Sequence, residues 1–138
     1  MGLPKSKDAK QFWRSAKQRF ADGELLLKAG RTTGAVYLAG YSVECMLKAM
    51  LIEATPKGGR VALVRSFRGA KAHDFEWLRY EYRRLNCPPI PPEIHESFLL
   101  VSTWSTEYRY HAGTIEASDA ENFVSAAEAI IRWADGRM

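Results

Sequence analysis

The chain is poor in the residues that build metal and redox sites. Of its 138 residues two are cysteines; Cys45 lies inside an apolar run, Cys87 precedes Pro88, and no CxxC or Cys/His ligand spacing occurs. This excludes a zinc ribbon, a dithiol redox pair and a disulfide framework, and both thiols are expected to be structural. No metal and no cofactor are expected. No uninterrupted apolar run approaches the roughly 20 residues that a membrane span needs. "MGLPKSKDAKQFW" has basic residues with no apolar segment behind them, so neither a secretory signal nor a membrane association is expected, and the cytoplasm is the expected location. Repeats, low-complexity tracts and convincing strand patterns are missing as well.

Charge is present but uneven. The formal net charge is +4. Residues 1–33 carry eight Lys/Arg against three Asp/Glu, residues 55–87 repeat that balance, and residues 115–138 reverse it with five acids against two bases. Such asymmetry permits an acidic partner, either nucleic acid or protein, without demanding one.

Helical spacing dominates the rest. Ala9, Trp13, Ala16, Phe20, Gly23 and Leu27 fall on one face of a first helix. "AGRTTG" breaks it, with Gly30 suited to a left-handed C-terminal position and Thr32 or Thr33 to capping the next helix. That second helix, about 33–54, is apolar nearly all round and is expected at the centre. Its early residues are small (Gly34, Ala35, Ala39, Gly40, Ser42), which predicts a tight crossing or a partner chain on that face. Residues 55–72 read as a flexible linker. A third helix opens at "HDFEWL" with Phe75, Leu78, Tyr82 and Leu85 on one stripe, and stops before "NCPPIPPE". Pro91 or Pro92 opens a fourth, facing Ile94, Phe98 and Val101 inward as far as Trp104. Ser118 and Glu121 form a capping box for a last helix that buries Ala120, Phe123 or Val124, Ala127, Ile130 or Ile131, and Ala134. The fold expected is all-α, an up-and-down helical bundle of four to five helices, in one domain over residues 1–138 with its core at about 8–135.

Three places can carry chemistry. Glu44 and Lys48 stand at i,i+4 in "VECMLKAML", among apolar neighbours. Either they are an ordinary intrahelical pair or they are a partly buried pair that takes part in a cleft. His73 or Asp74 can cap the third helix, or His73 can belong to a site. In "WSTEYRYHAG", Arg109 can hold phosphate and His111 can move a proton, with Tyr108 and Tyr110 stacking on bases or packing on the bundle. His95 is assigned no role.

Together "YLAGYSVECMLKAMLIEA", "AHDFEWL" and "YRYHAG" ahead of an amphipathic last helix resemble the HEPN superfamily (higher eukaryotes and prokaryotes nucleotide-binding) over about residues 8–135. The pattern falls on Tyr37 to Leu51, on His73 and Asp74, and on Arg109 and Tyr110. The resemblance implies a helical bundle that forms a homodimer, and a nucleotide or RNA phosphate ligand held by Arg109, Tyr110, Lys48, Glu44, Tyr37 and His73. It also implies a two-gene toxin–antitoxin setting with a minimal nucleotidyltransferase as partner, or a non-catalytic docking module. Active members resemble metal-independent endoribonucleases with an arginine followed, four to six residues between, by a histidine. Here that window after Arg109 holds Thr114, Ile115 and Glu116, and His111 follows after a single residue. Arg109 and His111 are the catalytic candidates if cleavage occurs. The formal match of Arg68 with His73 lies in the linker and is read as coincidence.

Overall fold

In the computed structural model, residues 3–104 and 113–138 are described. They form six α-helices and two 3-10 turns: α1 Lys7–Lys28, α2 Thr32–Ala54, a turn at Lys57–Gly59, α3 Arg60–Ser66, a turn at Ala70–His73, α4 Phe75–Arg84, α5 Pro92–Val101 and α6 Ala117–Asp135. No strand occurs among the described residues. The all-α expectation holds. The helix count exceeds the expected four to five because residues 55–72 are not a structureless linker. They hold α3 and both turns, anchored by the buried side chains of Leu63 and Ala72. A seven-residue helix with one buried residue is too short to leave a clear periodic signal.

α2 is the axis of the bundle, packed against α1, α6, α4 and α3, while α5 lies on α6. Its residues from Ser42 to Ile52 are all buried. Each fully buried Leu, Ile or Met there contributes about 1.5–3 kcal/mol. Against the expectation from run length, α2 does have the length and apolarity of a membrane-crossing helix. Its most apolar 18-residue stretch holds at most two charges, and 83% of that stretch is buried inside the bundle.

The first turn of the chain follows the sequence closely. α1 ends in a Schellman motif: Gly30 at φ 78° lets its own N–H reach the Leu27 carbonyl at 3.1 Å and the Arg31 N–H reach Leu26 at 2.9 Å. The threonines act differently from the expected caps. α2 has Arg31 at its N-cap and no side-chain cap. Thr32 and Thr33 instead donate from their hydroxyls to the carbonyls of Ile115 at 2.5 Å and Gly113 at 2.7 Å, tying the start of α2 to the segment before α6. The expected Ser118–Glu121 box is also absent, because α6 begins at Ala117 behind Glu116 and puts Ser118 inside the first turn.

The small-residue face of α2 is filled from within the chain. Gly23 on α1 sits against the backbone of Ala35 and Ala39, a close helix crossing. A Cβ on Gly40 would collide with the Trp104 indole. That ring lies on Gly40 and donates its Nε1–H to the Tyr37 carbonyl at 3.1 Å. The tight approach expected at Gly40 is therefore a side chain seated on backbone.

Candidate functional site

The site grows from one carboxylate. Glu44 lies on α2, 2% exposed, and each of its oxygens has a partner. Lys48, one turn on and 6% exposed at its side chain, donates from Nζ to Oε2 at 2.8 Å. His73 Nδ1 lies 3.0 Å from Oε1 across 29 residues of chain. A carboxylate only accepts, so Nδ1 carries the proton and donates. The imidazole uses one nitrogen inward; its ring is 43% exposed, which makes it the member of the trio that meets solvent.

Why His73 arrives there is a matter of the segment before it. Gly69 takes φ 76°, a left-handed conformation that suits glycine. The 3-10 turn that follows carries His73 at its last position. Asp74, not His73, caps α4, its carboxylate accepting from the Glu76 N–H at 2.9 Å. Of the two capping candidates, the structure selects Asp74.

Lys48 is held by aromatics as well as by charge. Its ammonium lies 5.2 Å from the Phe67 ring centroid and 5.8 Å from that of Phe12, two rings that meet edge to face at 5.9 Å. Such cation–π contacts strengthen where water is excluded. Neither Phe was marked by the sequence. They come from α1 and from the end of α3, and no spacing rule links them to α2. Removing two charges from water is expensive, and a buried ion pair is repaid only by good geometry on every polar atom. Glu44 meets that condition with both oxygens bonded.

On the same face of α2, Tyr37 and Tyr41 stack in parallel at 6.5 Å, and Tyr37 stacks on Trp104 at 6.1 Å. Trp104 in turn stacks on Phe75 at 5.4 Å. Tyr37 is therefore engaged in an aromatic ladder, half-buried. Its neighbour Cys45 and then burial push the Tyr41 hydroxyl up to about 12. Burial, then the Glu44 carboxylate, pushes the Cys45 thiol up to about 12. Cys45 stays a thiol at neutral pH and has little nucleophilic character, as expected of a structural cysteine.

The structure brings together Glu44, Lys48 and His73 and places Tyr37 earlier on the same helix. Arg109, Tyr110 and His111 lie outside the described residues. No group of three or more metal-ligating side chains occurs among the described residues. Exposed cations stand near His73 in sequence: Arg65, Arg68 and Lys71, the last over the Trp77 ring at 5.5 Å. Arg68 precedes the turn that ends at His73.

The family model described as HEPN domain matches residues 9–137, nearly the whole chain. No curated protein and no solved structure matches it.

Proposed function

This chain belongs to the HEPN domain family, and we propose that it binds a nucleotide or RNA phosphate as the HEPN half of a toxin–antitoxin-like pair with a minimal nucleotidyltransferase, working as a cytoplasmic homodimer. The observation that carries the reading is the trio itself. A buried carboxylate fixes an exposed imidazole by one nitrogen, with Arg68 and Lys71 close by in sequence, in a segment with eight Lys/Arg to three Asp/Glu. A ring held this way presents its outer edge in a fixed orientation to a ligand, and the neighbouring cations supply the attraction for phosphate. In this reading Arg109 is the phosphate clamp, Tyr110 a stacking ring and His111 a second donor.

The test is binding of a labelled oligoribonucleotide and of free nucleotides by the purified full chain, read by fluorescence anisotropy across a salt series. Affinity should fall steeply with salt. Arg109→Ala should weaken it at least about tenfold, roughly 1.4 kcal/mol, and His73→Gln should weaken it less. A wild-type protein that binds neither probe at low salt would sink the reading. A neighbouring nucleotidyltransferase gene whose product co-purifies supports the pair; its absence removes that part. Sedimentation at micromolar concentration decides the dimer.

A further inference from the structure

A trough runs between α5 and α6. Two cavities of about 350 Å³ each share Leu100 and Asn122 in their walls and so lie side by side along it. Val36, Ile115 and Phe123 line its first part; Ser97, Ser125 and Ala129 line its second. On α6 the positions Asn122, Ser125 and Ala129 make a stripe of short side chains beside the core face. On α5, Glu93, Ser97 and Leu100 make the opposing stripe. Leu100, which lines both cavities, is a large apolar side chain at 44% exposure.

The surroundings of the trough are acidic. α5 and α6 present Glu93, Glu96, Asp119, Glu121 and Glu128, and their one Lys or Arg, Arg132, is already 3.5 Å from Glu128. His95 is exposed on α5, and Asp135 is turned to α1 by its bonds to Trp13 and Lys17. Glu93, Glu96 and Asp119 line the cavities themselves.

We infer that this trough is a docking site for a cationic amphipathic helix of a partner protein, its apolar stripe seated on Leu100 and Ala129 and its Lys or Arg residues meeting Glu93, Glu96 and Asp119. Small side chains on α6 let a helix approach closely. From Asp119 to Ala129 the rise is about 15 Å, room for about three turns. Charge decides against a second copy. A two-fold contact pairs each patch with itself, so it would set these acids against one another with only Arg132 to offset them. The inference does not rest on the phosphate-binding reading, whose Glu44, Lys48 and His73 do not line the trough.

The test uses the full chain and a labelled helical peptide of about 15 residues, built of Leu on one face and Lys on the other, with a twin carrying Glu for Lys. The Lys peptide should bind in a salt-sensitive manner and the Glu peptide should not. Leu100→Ser, and separately Glu93→Lys with Glu96→Lys, should each weaken binding at least about tenfold. These side chains are exposed, so both variants should keep wild-type circular dichroism and wild-type RNA affinity. Failure of the Lys peptide to bind, or equal binding by the variants, overturns the inference. So does a wild-type dimer that Leu100→Ser dissociates, since the trough would then be the seam between copies. Loss of oligoribonucleotide binding with peptide binding intact would count against the phosphate site alone.

Discussion

Glu44 and Asp135 are each held by one lysine ammonium and one aromatic ring N–H. For Glu44 the donors are Lys48 at 2.8 Å and His73 at 3.0 Å; for Asp135 they are Lys17 at 2.9 Å and Trp13 at 2.7 Å. The chemistry is the same and the surroundings are not. Glu44 is 2% exposed, Asp135 28%. Asp135 joins the two end helices, α1 and α6, where water shares the charge and the arrangement is a structural tie. An indole has no second nitrogen with which to act. Glu44 sits where solvation is lost, and its ring partner is an imidazole with a further nitrogen and an exposed edge. The pair of sites teaches that a doubly bonded carboxylate is not by itself a functional mark. What it orients, and whether that group reaches solvent, separates a tie from a candidate site.

The sharpest way to break the comparison is to delete each carboxylate. Glu44→Ala leaves the Lys48 ammonium buried without its counter-charge, and removing one partner of a buried pair costs about 3–5 kcal/mol. The denaturant midpoint should fall accordingly. Asp135→Ala should cost only about 1–2 kcal/mol, since a partly exposed ion pair contributes little beyond the indole bond. If the two losses are equal, burial is not what distinguishes the sites.

pH separates them further. Burial alone would raise the Asp135 carboxyl, but the Trp13 and Lys17 bonds outweigh it and hold the group below its ordinary value. A folded-state pKa that is depressed stabilises the fold above the unfolded value, and that contribution is lost as pH falls through the folded value. The charge-dependent part of the difference between wild type and Asp135→Asn should therefore be constant at neutral pH and shrink in acid, below about pH 4. Thermal melts across pH check it.

His73→Gln should change stability by less than about 1 kcal/mol, because the ring is 43% exposed, while still weakening oligoribonucleotide binding. Unchanged binding would make the trio a tie like the one at Asp135. The smallest effect is expected for Glu44→Leu with Lys48→Met together. Replacing a buried ion pair by apolar side chains of similar volume is close to neutral, so this variant should regain most of what Glu44→Ala loses, as a double-mutant cycle would measure.

Part of this was legible beforehand. The i,i+4 pair in "VECMLKAML" pointed to a buried charge on an apolar helix, because spacing along a helix is a local property. The core faces of α5 and α6 followed from periodicity for the same reason, and Gly30 followed from the need for a left-handed residue. Residues 55–72 misled, since a single buried Leu in a seven-residue helix gives no period to read. Thr32 and Thr33 misled because a distant acceptor, the segment before α6, competes for hydroxyls that local rules assign to capping.

The sequence by itself determined that the chain is helical, that α2 is its core, that Glu44 pairs with Lys48 one turn away, and, through the order of its motifs, to which family it belongs. Only the tertiary structure decided which ring meets Glu44, which rings enclose Lys48 and what fills the space over Gly40. Those partners lie on other elements, tens of residues away. Spacing along a helix fixes neighbours within a few residues; which distant side chain completes a buried polar group is settled by how the helices pack.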